Sequence, residues 1–305
     1  MDMQVILNQM VVLFILLTVG FVGGKAKLLS VDAGKILSKI VINITAPCTI
    51  LTSVLSGDIS ITAGETAVFL AISFLHYLFF IVASLPVARL LCKNKEGRGL
   101  YSYMAAFGNT AFMGFPVIIA IFGSTSAFYV ALFNIPFVLL TFSVGIILIS
   151  GKGSKFDPKI LISPSIIAAL AAAIIAVTGF RAPAVITESI RLIGNMTTPG
   201  SMLVIGSTLA FVSFKDVFSE WRLYPTSLFK LIFMPVLSWL VFRQFISNEV
   251  ILGILVILSG MPTAAMSAMV AIEYGGDERI ASGGVSMTTL LSGVTIPLVV
   301  YLLLM

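Results

Sequence analysis

Few residues in this chain of 305 have the types and spacing that bond-making chemistry requires. There is one histidine, His76, and there are two cysteines, Cys48 and Cys92. Two thiols so far apart build no disulfide framework, and with a single imidazole they build no zinc site. No nucleophile is paired with a base, no glycine-rich loop suits a phosphate, and no Asp or Glu stands in the middle of a long apolar run. The sequence therefore offers no catalytic residues, no metal ligands and no cofactor site. What it does offer is backbone chemistry. Two apolar runs interrupt themselves, one at Gly108-Asn109-Thr110 and one at Gly260-Met261-Pro262-Thr263. Proline removes an amide donor and clashes with the turn before it. A helix that restarts after such a break exposes N–H groups and a partial positive charge, which suit an anion.

The elements that must position these breaks are membrane spans. Only 10% of the residues are charged and 59% are hydrophobic, with a mean hydropathy of +1.12, whereas a soluble chain carries about 25% charged residues. That balance excludes a soluble enzyme, a disordered tail and a nucleic-acid binder, and makes the lipid bilayer the chain's surroundings. The uncharged runs are 3–24, 40–57, 66–88, 99–151, 160–180, 192–214, 250–272 and 280–305. A crossing takes roughly 20 residues, so 99–151 holds two spans with a turn at Gly123-Ser124-Thr125-Ser126, and 223–243 makes a further span interrupted only by Lys230. The expectation is an all-α integral membrane protein of ten transmembrane helices. The first run opens Met1-Asp2-Met3-Gln4 with no basic segment before it, so it reads as a retained span rather than a cleaved signal.

Loop charges orient the chain. Fifteen of the 18 Lys and Arg residues follow odd-numbered spans, among them Lys25, Lys27, Arg89, Lys93, Lys152, Lys155, Lys159, Lys215 and Arg279; Arg181, Arg191 and Arg243 lie on the other side. Positive residues favour the cytoplasm, which puts both termini on the extracytoplasmic side of a multi-pass protein of the cell membrane. Five spans precede the Lys152–Lys159 loop and five follow it, suggesting an N-terminal repeat over 1–150 and an inverted C-terminal repeat over 151–305. Asn43-Ile-Thr-Ala-Pro47 in span 2 recurs as Asn195-Met-Thr-Thr-Pro199 in span 7, an offset of 152, and pairing Asn109 of span 4 with Pro262 of span 9 gives 153. Broken helices at matching positions of inverted halves are the pattern of a secondary transporter's binding site.

Gly108-Asn-Thr-Ala-Phe-Met-Gly-Phe-Pro116, Met261-Pro-Thr-Ala-Ala-Met-Ser267, Val270-Ala-Ile-Glu-Tyr274, Ala46-Pro47 and the region of Pro199 together resemble the auxin efflux carrier family, which includes bacterial malate and malonate permeases. The resemblance implies two inverted five-helix repeats whose broken helices 4 and 9 cross at their unwound centres. It implies a substrate site at Gly108, Asn109, Thr110, Pro262 and Thr263, and a supporting scaffold that includes Asn43, Pro47, Asn195 and Pro199. It further implies a homodimer and alternating access of an elevator type. The central loop is short, and Gly108 stands where plant members often have proline, which points away from auxin and toward a small mono- or dicarboxylate. A sodium-coupled carrier of the bile-acid symporter type and a passive anion channel are the alternatives, and the coupling ion, H+ or Na+, stays open.

The remaining polar residues carry paired readings. His76 in span 3 reads either as a proton relay or, as His76-Tyr77, as a neutral hydrogen-bonded pair between helices. Lys230 lies about 12 Å inside span 8; it reads as a lysine that snorkels to the cytoplasmic surface, with a counter-charge for an anionic substrate as the sharper reading. Pro86, Pro136 and Pro297 read as plain kinks, and Met261, Met266, Met269 and Met287 as packing.

Overall fold

The structure is a computed structural model that describes residues 3–55, 62–92, 95–151 and 162–305. Asp58, Lys93, Lys152, Lys155 and Lys159 lie outside the described residues. Among those described the chain is helical throughout and forms no β-strand, only an isolated antiparallel bridge between Gly108 and Thr263. That outcome follows from composition. In an apolar medium each backbone N–H and C=O must be satisfied within its own segment, and the helix does this.

Six helices are long and apolar enough to cross a membrane: Ile6–Lys25, Val31–Leu55, Ala63–Leu91, Ser124–Ser150, Leu223–Phe242 and Glu278–Leu304. They fall on six of the ten runs expected to span. The other four runs are held in shorter pieces. Lys95–Ala106 and Thr110–Phe122 flank the first break, and Glu249–Ser259 and Ser267–Tyr274 flank the second. Pro164–Thr178 stands alone, and Ala184–Gly194 is separated from Thr197–Ala210 by a turn at Asn195-Met196.

Local chemistry sets the ends. Thr62 and Glu65 form a reciprocal capping box at the start of Ala63–Leu91, and Asn248 and Asp277 cap Glu249–Ser259 and Glu278–Leu304 through their side-chain oxygens. Gly123 and Gly275 end their helices with φ of 88° and 81°, a backbone region that disfavours residues with a Cβ. Three wide π turns, Val41–Thr45, Thr110–Gly114 and Phe229–Phe233, precede Pro47, Pro116 and Pro235. Each contains the residue four before its proline, whose carbonyl the ring would strike in a regular helix. Widening the turn removes that clash.

Packing rests on small residues. Helix Ile6–Lys25 lies against Thr197–Ala210 so closely that a Cβ on Gly206 would come within 2.0 Å of Leu17 O, and one on Gly20 within 2.6 Å of Leu203 O. Glycines at such a crossing let two backbones meet, the usual device where lipid supplies no hydrophobic drive between helices. Around the two breaks the core is aromatic, with Tyr77, Phe80, Tyr103, Phe107 and Phe133 fully buried.

Candidate functional site

The two breaks meet. Helix Lys95–Ala106 stops where Phe107-Gly108-Asn109 leaves helical geometry, and the second run stops at Gly260. Asn109 N donates to Pro262 O at 2.7 Å, and Ala264 N donates to Phe107 O at 3.0 Å. The last carbonyls of a helix have no partner within it. Here the opposite segment supplies partners: Met104 O accepts from Thr263 Oγ1 at 3.1 Å and Phe107 O from the Ala264 amide. Beyond the break, Asn109 O accepts from Met113 N and Gly114 N, and Asn109 Oδ1 accepts from Phe112 N at 3.3 Å, so this residue starts the second half-helix. Gly108, Asn109, Pro262 and Thr263 therefore stand together, sealed from solvent, with Asn109 3% exposed.

The amides of the breaks are used differently from the expectation. Free N–H groups were anticipated at both half-helix starts. In the structure Asn109 N and Ala264 N are taken up by the crossing itself, and Thr263 N donates to Thr288 Oγ1 at 3.0 Å. The hydroxyl of Thr110 turns away, donating to Asn134 Oδ1 at 2.7 Å. A polar atom left over at the crossing is Asn109 Nδ2, buried and without a hydrogen-bond partner. A buried donor without a partner costs about 1–3 kcal/mol.

The residues marked as scaffold lie elsewhere. Asn43 and Asn195 are exposed, and Asn43 only donates back to Lys39 O. Pro47 and Pro199 are half-buried. The threonine inside each motif makes the contact instead: Thr197 Oγ1 donates to Thr45 Oγ1 at 3.0 Å, and Thr49 Oγ1 lies 2.7 Å from Thr197 Oγ1 and 2.8 Å from Gly194 O. Both threonines were visible in the repeated Asn-x-Thr-x-Pro pattern, where the more polar asparagines drew attention away from them.

His76 hydrogen-bonds from one helix to another, its Nε2 lying 2.8 Å from Oγ of Ser238 in the Leu223–Phe242 helix. The rings of Phe80, Phe133 and Phe242 enclose it, and its Nδ1 has no partner. Among the residues whose burial is described no Asp or Glu is buried, so none of these stands beside it to continue a relay. Lys230 does not snorkel. It is 1% exposed, and its Nζ reaches Ala106 O at 3.5 Å and lies 5.9 Å from the Phe80 ring centroid. The depth of a lysine in a span says nothing about which way its stem turns; the wide turn at Phe229–Phe233 directs it inward.

Outside the spans, Arg222 donates from Nε to Glu220 Oε1 at 2.7 Å and holds that carboxyl below its ordinary range, while its guanidinium stacks 5.4 Å from the Tyr101 ring centroid. Among the described residues no group of three His, Cys, Asp or Glu side chains forms a metal site.

Comparison with known proteins points to membrane transport. A family model described as "Membrane transport protein" matches residues 5–160 and 158–300. An uncharacterized transporter of Methanocaldococcus jannaschii is 25% identical over 307 residues, covering 98% of this chain and 99% of its own. An uncharacterized transporter of Escherichia coli strain K12 is 23% identical over 306 residues, with 97% and 96% covered. A Rhizobium meliloti protein named "Putative malonate transporter" is 26% identical over 215 residues, 67% of each chain.

Proposed function

We propose, from the premise that the chain belongs to the membrane transport protein family of the auxin efflux carriers, that it is a secondary carrier of small organic anions. The cargo is a mono- or dicarboxylate moved by alternating access. The observation that carries this reading is the meeting of two interrupted helices at Asn109 and Pro262, inside an apolar, aromatic core. Irregular backbone at such depth is tolerated where it is enclosed by protein or lines a binding cavity, and carriers place their sites at such points.

The ten-span arrangement belongs to the same proposal. Four of its spans are the pieced runs, and its halves are 1–150 and 151–305 with inverted topology. Support comes from two contacts at nearly one offset: Thr45 with Thr197, 152 apart, and Asn109 with Pro262, 153 apart. When two repeats are related by a two-fold axis, equivalent residues touch one another only on that axis. Both pairs behave in that way. The carrier is set in the cell membrane with its termini outward and works as a homodimer, with H+ or Na+ as coupling ion. Among the residues whose burial is described no Asp or Glu is buried, so a sodium site in the bile-acid-symporter alternative would draw on break carbonyls and on Asn, Ser or Thr oxygens.

The test is a thermal-shift screen of purified protein against acetate, propionate, lactate, malonate and succinate, with and without sodium. Malonate is included because a relative bears its name. A ligand of the native state raises the unfolding temperature in a concentration-dependent way, by about 2.7 kcal/mol of stabilisation at a hundredfold excess over Kd. If none of the carboxylates stabilises the protein, the organic-anion reading fails.

A further inference from the structure

Among the residues whose burial is described, Lys230 is the one Lys, Arg, Asp or Glu that is buried. It has no carboxylate within 4 Å among them; the ion pairs that do form are Lys35–Asp32, Arg191–Glu188 and Arg222–Glu220. An ammonium carries three donors, and here they find one carbonyl, Ala106 O, at the 3.5 Å limit of a hydrogen bond, and the face of Phe80. Burying an ion without a partner is expensive, and a lysine in a span ordinarily escapes by snorkelling. This one is instead turned toward the crossing. A Cβ on Gly108 would stand 3.2 Å from Lys230 Nζ, so a glycine is what admits the ammonium there. The next residue, Asn109, has its Nδ2 buried and unpartnered. Two donors from different elements, one charged and one neutral, are left unsatisfied around the same pair of residues.

We propose that Lys230 is the charged anchor for the substrate's carboxylate, with Asn109 Nδ2 as the neutral donor beside it, and that the carrier takes its cargo as a monoanion. The inference rests on the organic-anion reading above and deepens it. Its second half is a charge count. Among the residues whose burial is described there is one buried lysine and no buried acid; the lysine, protonated when an anion pairs with it, is neutralised by a single negative charge, whereas a dianion would leave one charge uncompensated in a medium of low dielectric. The cargo class is therefore monocarboxylates and dicarboxylates that carry one proton or one amide.

The experiment uses purified full-length protein and the near-isosteric series malonate, malonamate and malonamide, which carry charges of −2, −1 and 0 at pH 8, together with acetate, propionate, lactate and succinate. Affinities are measured by calorimetry for the wild type and for Lys230→Met. The wild type should bind malonamate about tenfold or more tightly than malonate, and should not bind malonamide. Lys230→Met should lose roughly 100-fold or more in monoanion affinity, because a buried charged partner is gone. Its unfolding temperature without ligand should hold or rise, since a cation without a counter-ion has been replaced by an apolar stem. A lysine that merely caps the Lys95–Ala106 helix would give the opposite result, a lower unfolding temperature with the malonamate-to-malonate ratio unchanged, and would overturn the inference. If the wild type binds a carboxylate and Lys230→Met binds it equally well, the anchor is wrong while the carrier reading stands. If the wild type prefers malonate, the monoanion count is wrong, and this comparison needs no variant to fold. If the wild type binds no member of the panel, the carrier reading falls and the inference falls with it.

Discussion

Asn109 does two jobs with the two ends of one amide. Its Oδ1 starts the second half-helix by accepting from Phe112 N, and its Nδ2 remains buried and unused. Asn109→Ala removes both. Losing a cap costs about 0.5–2 kcal/mol of stability, here toward the low end because the bond is long and because an unsatisfied donor disappears with it. Losing a hydrogen bond to a charged ligand costs roughly 1.5–3 kcal/mol, about a 10- to 150-fold loss of affinity. The expected outcome is a variant that expresses and unfolds nearly as the wild type does but binds carboxylate at least tenfold more weakly; thermal unfolding and ligand titration on the same preparation check it. Normal affinity would remove Asn109 from the site. At this scale the sequence was informative where chemistry is local. The break at Gly108-Asn109 and its partner at Pro262 could be read from residue types alone. The pairing of His76 with Ser238 and the approach of Lys230 to Ala106 join residues 162 and 124 positions apart, and no periodicity within one span encodes them.

The prolines show how one residue type serves different ends in different elements. Pro297 lies inside the continuous helix Glu278–Leu304, where neighbours absorb one missing bond. Pro262 lies outside any helix, and its carbonyl receives the Asn109 amide that joins the two breaks. Replacing Pro262 by alanine restores an amide donor and lets helix Glu249–Ser259 extend through the break, which would pull that carbonyl into the helical ladder and away from Asn109. Pro262→Ala should therefore lower carboxylate affinity and transport by about tenfold or more, with folding retained, while Pro297→Ala changes affinity less than about twofold. Affinity measured in both variants at matched protein levels decides. Damage confined to Pro297→Ala would mean that the crossing is not the site. Helix interruption at Gly260-Met261-Pro262 was legible because glycine and proline act on their own turn. The wide π turns before Pro47, Pro116 and Pro235 were not, because a proline clash can be met by a kink, a break or a widened turn, and packing chooses among them. That choice has a consequence: the widened turn before Pro235 is the one that carries Lys230 inward.

For the molecule as a whole, burial and charge separate cleanly. Among the residues whose burial is described, the carboxylates and all cations except Lys230 stay out of the buried interior, so the charges that orient the chain are free to do so at the membrane faces. Six runs were legible as spans because one helix fills each of them. The other four were harder because breaks or turns divide three of them and the fourth holds only the 15-residue helix Pro164–Thr178, and length alone does not say whether such short helices make a crossing. Charge parity supplies what length cannot. One missed crossing would invert every loop after it, and fifteen of 18 basic residues would no longer share a side. Single cysteines placed in a background free of Cys48 and Cys92 test the arrangement. Ser219 follows seven proposed spans and Ser124 follows four, and both are exposed. An impermeant thiol reagent added to intact cells should modify Ser124→Cys and leave Ser219→Cys untouched until the membrane is opened. Reversed labelling would either turn the protein over or remove a crossing before Ser124, such as 99–122. Labelling of both from outside would put an even number of crossings between them in place of the proposed three. In that case at least one of the runs 160–180 and 192–214 does not cross, and the two halves are not inverted copies.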